Sequence, residues 1–192
     1  MHPLIALEKK ETLRVIGLMS GTSADGMDAA LTEITGSGLR TRARTLAFVS
    51  RPYADAERAE ILRLASGEAG GSRDLTRFHF WLGQVSLEAC LAVCEAAGVS
   101  PATVDLVGSH GQTLYHAPRA ENYLGRPVRG TLQLGEASVI CEGLGCPVVS
   151  DFRVRDLAAG ARARRWFPMP NTCCTAGKGK PSGCRTWAGS GT

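Results

Sequence analysis

Nowhere does the chain hold the roughly 18 consecutive apolar residues that a membrane-crossing helix needs, so no transmembrane segment is expected. The N-terminus, Met1 to Glu11, carries Lys9 and Lys10 with no apolar stretch behind them. That is unlike a secretory leader, and the expected compartment is the cytoplasm. The seven cysteines include no C-x-x-C pair and no histidines at zinc-ligand spacing. Neither a zinc site nor a disulfide framework is expected; the thiols read as buried or incidental ones in a reducing compartment. Cys141 in particular reads as a small buried side chain. No glycine-rich loop is followed by Gly-Lys-Ser/Thr, so there is no Walker P-loop. Ser20 and Ser109 sit outside any nucleophile-elbow motif, which disfavours a Ser–His hydrolase.

Acidic residues are missing from 161–192, where six basic residues stand: Arg162, Arg164, Arg165, Lys178, Lys180 and Arg185. Setting those six aside leaves 16 basic and 18 acidic residues in 1–160, a net of −2 against +4 for the whole chain. The basicity is local, and no nucleic-acid partner is expected. The same stretch lacks Val, Ile and Leu, yet holds two of the three tryptophans and three of the seven cysteines, Cys173, Cys174 and Cys184. A disordered basic tail is normally poor in aromatic residues. Joining the third base of each codon to the first two of the next turns Trp166–Phe167 into Val, Met169–Pro170 into Ala and Cys173–Cys174 into Leu. With permitted codons Ala161–Thr175 reads QGAPLVPDAEHLLY and Cys184–Thr192 reads QNLGGIGN. The expectation is a frameshift near codon 160, with a native domain over 12–160 and a non-native, disordered tail over 161–192.

What is there is a soluble globular composition, 44% apolar and 21% charged, long enough to bury roughly 70% of its unfolded surface. Leu13–Met19 is an apolar strand ending in the glycine-rich turn Ser20–Gly26; Met27–Ile34 is its hairpin partner and Thr41–Val49 a third strand. Ala54–Ser66 and Leu75–Ala97 have helical periodicity, the second with Phe78, Trp81, Leu82, Val85, Ala89, Ala92 and Ala96 on one stripe. Short strands follow at Asp105–Val107, Thr131–Leu134 and Pro147–Val149, with a short helix near Glu136–Gly143. Strands that first meander and then alternate with helices imply a mixed α/β sheet with flanking helices.

Three clusters carry chemistry. In Gly17–Asp28 (GLMSGTSADGMD), small residues between two strands let backbone N–H groups approach a phosphate, and Asp25 and Asp28 suit a hard cation. The same residues fit a tight hairpin turn with Asp25-Gly26 at its tip. In Gly108–Thr113 (GSHGQT), with His116 just beyond, a polar cluster at the end of a strand stands where open α/β sheets place ligands. His110, Gln112 and Thr113 offer the mixed donors and acceptors a sugar needs; an ordinary polar surface loop fits as well. The third runs through Gln133-Leu-Gly-Glu136 to Ser150–Asp156 (SDFRVRD). Carboxylates flanked by Arg153 and Arg155 stay ionised and suit a general base, though spacing alone better fits a surface Asp–Arg pair. Phe78 and Trp81 read as core.

Taken together, VIGLMSGTSADGMDAAL, VGSHGQTLYHAP, TLQLGEASVI and PVVSDFRVRDLAAG, in order through residues 13–160, strongly resemble anhydro-N-acetylmuramic acid kinase. Members of that family continue with GGQGAPLVP and a later Gly-Gly-Ile loop, both of which the shifted frame recovers. The resemblance implies the actin/hexokinase-type ATPase fold, of which this chain would be the first lobe. It implies ATP with Mg²⁺ bound at Gly21, Thr22, Ser23, Ala24, Asp25, Gly26, Met27 and Asp28, the metal being held by Asp25 and Asp28 through the nucleotide. Asp156 matches the catalytic base that activates a water against the anomeric carbon, opening the 1,6-anhydro ring as O6 takes the γ-phosphoryl group. His110, Gln112, Thr113 and Gln133 are the candidate sugar contacts. The implied product is N-acetylmuramic acid 6-phosphate, in peptidoglycan recycling. The expected partners are the sugar and ATP, with a homodimer for the full-length form, and neither nucleic acid nor membrane. Without a second lobe the chain is expected to be inactive and prone to aggregate. Two alternatives are a non-catalytic sugar- or nucleotide-binding lobe and another kinase of the same fold, against which SHGQT and DFRVRD argue.

Overall fold

The computed structural model describes residues 7–21, 23–67 and 71–159. Thr22 and the expected frameshifted tail lie outside the described residues.

Strand β1 (Thr12–Ser20) pairs antiparallel with β2 (Gly26–Thr35), and β2 with β3 (Arg42–Pro52). On its other side β1 pairs in parallel with β4 (Leu106–Tyr123), which folds back on β5 (Arg126–Leu134). The sheet order is β3-β2-β1-β4-β5, with β6 (Val148–Val149) parallel to β4. A parallel β1–β4 pair requires a long crossover, and α1 (Asp55–Ser66) and α2 (Ser72–Ala96) supply it. Helices α3 (Ala137–Leu144) and α4 (Phe152–Ala158) follow β5 and β6.

Alternation along β1 decides which face is buried: Ile16, Leu18 and Ser20 face inward while Gly17 and Met19 remain exposed. Helix α2 covers the inward face, burying Phe78, Leu82, Val85, Ala89, Cys90, Val93 and Cys94 against Ile16, Leu31 and Val107. Each large aliphatic side chain so buried is worth about 2 kcal/mol, and Leu82→Ala would forfeit roughly 2–5 kcal/mol once the cavity is counted. Helix α1 starts where the Glu57 carboxylate accepts the Ala54 N–H (2.9 Å), and it ends at Gly67, whose φ of 73° closes the helix in the left-handed region. Arg51 grips the same Glu57 carboxylate with two hydrogen bonds, 2.9 and 3.0 Å, joining β3 to α1.

Three expectations need correction, and one segment to which no element was assigned takes a definite form. The stripe on α2 drifts: in its C-terminal half Cys90, Val93 and Cys94 are buried and Ala96 is exposed, because larger apolar side chains displace alanine from the sheet side. The strand expected at Asp105–Val107 continues for eighteen residues, so the SHGQT cluster lies within β4 and not in a loop after it. Its polar run and Pro118 hide this, and register shifts absorb both irregularities. The DFRVRD segment is largely helical. Cys141 is exposed, whereas Cys90, Cys94 and Cys146 are buried. Burial pushes the Cys90 thiol up to about 12 and Cys146 to about 11, which makes both inert as nucleophiles.

Candidate functional site

The turn between β1 and β2 is braced from beneath by side chains. Ser20 is 1% exposed and its hydroxyl meets Tyr53 Oη (2.9 Å), Gly26 O (3.0 Å) and Gln112 Oε1 (2.5 Å). Gln112, also 1% exposed, donates from Nε2 to Gly21 O (3.0 Å) and Thr113 O (3.2 Å). Burial pushes the Tyr53 hydroxyl pKa up, and the Ser20 contact works against that shift. The Tyr53 amide closes the turn by donating to Asp25 O (3.0 Å). Gly26 has no room for a side chain, since a Cβ there would stand 2.4 Å from Arg51 O. At Gly21, by contrast, an added Cβ would meet only Ser23 Oγ, at 3.8 Å. Ala24 holds a φ of 52°, a left-handed conformation costly for a residue with a Cβ. Ser23 and Asp25 are exposed, Asp28 is partly buried, and Met27 belongs to the core. The turn therefore offers main chain and carboxylates outward from a rigid base.

A second concavity lies beside it on β4. Its walls include Ser109, His110, Gly111, Gln133, Gly135, Glu136, His79 and Asp151. A bulge makes it: β1 pairs Leu18 with Ser109 but Ser20 with Gln112, and Gly111 takes up the slack with φ 69°. A Cβ on Gly111 would approach Leu134 O to 2.7 Å, so only glycine fits. The bulge lets His110 face this pocket while Gln112 serves the turn. His110 Nδ1 faces Gly111 O (2.9 Å), and its Nε2 accepts from Arg153 Nε (2.8 Å). The ring is thus neutral with its proton on Nδ1, and burial, with Arg153 adding to it, pushes its pKa down. Burial also lowers the Arg153 pKa. Gln133 Nε2 donates to Thr131 Oγ1 (2.6 Å), and its Oε1 is buried with no hydrogen-bond partner among the described residues.

The structure brings most of the expected residues to the two linked clusters. Gly21 and Ser23–Asp28 form the turn, Thr22 lying outside the described residues. His110 and Gln133 line the pocket, and Thr113 is buried beside Gln133, 3.5 Å from its Nε2. Gln112 was expected to touch sugar, but both ends of its amide are engaged within the protein. Asp156 sits half-buried on α4, one turn past Arg153, and outside the pocket lining; Asp151, with φ 57°, is the carboxylate on the rim. Asp25 lies 3.7 Å from Arg58 Nη2. No group of three His, Cys, Asp or Glu side chains able to hold a metal exists among the described residues. Asp25 and Asp28 alone make no cage, so a hard cation here would depend on phosphate and water oxygens for its other ligands. No described helix is long and apolar enough to cross a membrane. Tyr53 and His79 lacked a motif to reveal them, because their roles depend on partners 33 and 56 residues away; Arg153 was visible in DFRVRD, but not its bond to His110, 43 residues away.

A family model described as anhydro-N-acetylmuramic acid kinase matches residues 13–175. The chain is 44% identical over 168 residues to the anhydro-N-acetylmuramic acid kinase of Caldanaerobacter subterraneus subsp. tengcongensis, covering 88% of this chain and 42% of that protein. It is 43% identical over 169 residues to the protein of the same name from Salinibacter ruber, again covering 88% and 42%. A Bacillus cereus protein of that name is 38% identical over 154 residues, covering 80% and 40%. The chain thus spans about two fifths of the length of the curated relatives it matches.

Proposed function

The chain belongs to the anhydro-N-acetylmuramic acid kinase family, and on that premise we propose that it is the first lobe of an ATP-dependent kinase of 1,6-anhydro-N-acetylmuramic acid. The observation that carries this reading is a single strand serving both clusters. From Gly21 O the path runs through Gln112 to the Gly111 bulge, then through His110 to Arg153, one helical turn from Asp156. A phosphate-holding turn and a sugar pocket are thereby tied within a few residues of each other.

In this reading the β1–β2 turn holds the ATP phosphates on main-chain N–H groups, with hydroxyl help from Ser23 and, outside the described residues, Thr22. Asp25 and Asp28 would hold Mg²⁺ through the nucleotide, where it would supply charge neutralisation for phosphoryl transfer. The buried Gln133 Oε1 accepts a hydroxyl of the sugar, which would satisfy an otherwise costly orphan acceptor. His110 fixes Arg153 at the pocket, and Thr113 adds a further hydroxyl. Gln112 acts by position, aligning Gly21 with Thr113. Asp156 is the base for the water that opens the anhydro ring, giving N-acetylmuramic acid 6-phosphate and ADP. The chemistry suits a cytoplasmic enzyme of cell-wall recycling, dimeric at full length. Residues 161–192 are out of frame, which the nucleotide sequence across codon 160 tests directly.

The test of function is a ¹⁵N-resolved titration of the 192-residue chain. The anhydro-sugar should shift Gly111, the Gln133 side chain and Gly135, while Mg·ATP should shift Gly21, Asp25 and Asp28. A sugar response absent, or confined to the groove that Ala56, Glu60, Arg77 and Trp81 line between α1 and α2, overturns the assignment. In a coupled ADP-release assay this chain should show no turnover, because phosphoryl transfer needs groups preorganised from both lobes.

A further inference from the structure

Helix α2 touches the pocket at one residue that no motif includes. His79 Nδ1 accepts the Gly135 N–H at 2.9 Å, so that nitrogen carries no proton. The ring proton therefore sits on Nε2, which lies 3.0 Å from Glu136 Oε2. The main chain adds a third link, Glu136 N–H to His79 O at 3.0 Å. The corner so held is unusual in itself. Gly135 has φ 127°, a region glycine occupies and other residues avoid. A Cβ on Gly83, one helical turn along α2, would stand 2.8 Å from Glu136 O, so helix and corner are in close contact. Glu136 then uses its other oxygen to accept the Ser138 N–H (2.8 Å) and start α3, and these Ser138 contacts, with His79 adding to them, hold its pKa below the usual carboxylate range.

We infer that His79 is a positioning residue for the sugar pocket: by holding the Gly135 N–H and the Glu136 carboxylate it sets the wall opposite His110 and the height of Gln133. This rests on the sugar reading given above. The argument is one of geometry. Gln133 and Glu136 both line the pocket, as do the two residues between them, of which Leu134 is anchored in the core and Gly135 has no side chain. Without the imidazole the Gly135 N–H loses its acceptor, and the corner keeps only the main-chain link from Glu136 N–H to His79 O, about which the glycine can turn. Gln133 Oε1, the buried acceptor without a partner, would move with it.

Two near-isosteric variants separate the bonds. In His79→Asn the amide oxygen stands close to where Nδ1 was and keeps the Gly135 contact. In His79→Gln the amide nitrogen reaches toward Glu136, and the Gly135 contact is lost. The chain is followed by ¹⁵N-resolved amide exchange at Gly135 and by direct titration with 1,6-anhydro-N-acetylmuramic acid and, separately, with Mg·ATP. His79→Gln should speed Gly135 exchange and weaken the sugar about tenfold each, the scale of one lost hydrogen bond, with ATP affinity unchanged. His79→Asn should stay within about twofold of the parent on both readouts. Unaltered Gly135 exchange in His79→Gln overturns the clamp. Faster exchange with unaltered sugar affinity overturns the positioning role, as does a parallel loss of sugar and ATP binding in both variants. A parent chain that ignores the sugar while Gly135 exchange still responds leaves the clamp standing and removes the sugar reading instead.

Discussion

The β1–β2 turn and the pocket on β4 are neighbours built on opposite plans. Under the turn, side chains form the frame and the main chain is what is presented: Tyr53, Ser20 and Gln112 lock together in the interior, and Gly21 stands open above them. Around the pocket the main chain is the frame and side chains are presented: Gly111, Gly135 and Asp151, all at positive φ, set the walls from which His110, Gln133 and Asp151 project. A polyphosphate is recognised by N–H groups that approach closely, a sugar by a few fixed side-chain donors and acceptors. On the proposed reading, the division of labour between frame and display follows from what each ligand needs.

If the two plans differ in this way, a methyl group added at the frame of each should cost stability, and one added at the display should not. Gly111→Ala puts a Cβ 2.7 Å from Leu134 O at φ 69°. Left-handed strain of roughly 1–2 kcal/mol adds to overpacking of about 1–3 kcal/mol, and urea denaturation should show the largest loss of the series, about 2–5 kcal/mol. Gly26→Ala, at ordinary φ but 2.4 Å from Arg51 O, should lose about 1–3 kcal/mol. A Gly111→Ala midpoint equal to that of the parent would mean that the bulge is not the pocket's frame.

Next in size is the interior network. Gln112→Leu removes the acceptor facing Ser20 Oγ, which keeps Gly26 O and Tyr53 Oη, and takes the Gln112 donor from Gly21 O and Thr113 O. A loss of about 1–3 kcal/mol is expected. Mg·ATP affinity should fall with it, because the turn loses its support. Loss of sugar affinity alone would instead mark Gln112 as a direct sugar contact, as its place in the SHGQT motif suggested.

The display side gives a smaller effect of a different kind. Gly21→Ala meets only Ser23 Oγ at 3.8 Å, so stability should stay within about 0.5 kcal/mol of the parent. If phosphate approaches this main chain, the same methyl group should weaken Mg·ATP roughly tenfold, or about 1.4 kcal/mol. Unchanged affinity would make the turn a hairpin and nothing more, the alternative that the residues alone left open.

The same contrast explains what was legible beforehand. The turn was, because a glycine-rich segment between two apolar strands is written in consecutive residues. The pocket was legible only as residue types. SHGQT looked like a loop after a strand because neither alternation nor propensity shows that β4 continues through Gly111 and Pro118; cross-strand pairing with β1 and β5 imposes it. Tyr53 and His79 carry no local signal at all, being recruited by tertiary proximity. The carboxylates of DFRVRD were legible as chemistry but not as geometry: the left-handed Asp151 starts α4 and puts itself, not Asp156, on the pocket rim.

The smallest effect expected comes from the pocket's own histidine, and its sign distinguishes display from frame. His110 is held neutral, with burial lowering its pKa and the Arg153 guanidinium adding to the shift. Unfolded, the ring titrates near 6.5. Below that value the unfolded chain binds a proton that the folded one refuses, so stability rises with pH there and is lost as pH falls from about 6.5 toward the depressed folded value. Above about 6.5 the two states bind equally and His110 adds no slope. Thermal midpoints from pH 8 to pH 5 should therefore fall on the acid side, and His110→Gln, which does not titrate, should flatten that part of the curve relative to the parent. A parent curve that instead rises toward pH 5 would mean a protonated imidazole, which has no lone pair on Nε2 to receive Arg153. The link between β4 and α4 would then be absent, and with it the path from the turn to Asp156.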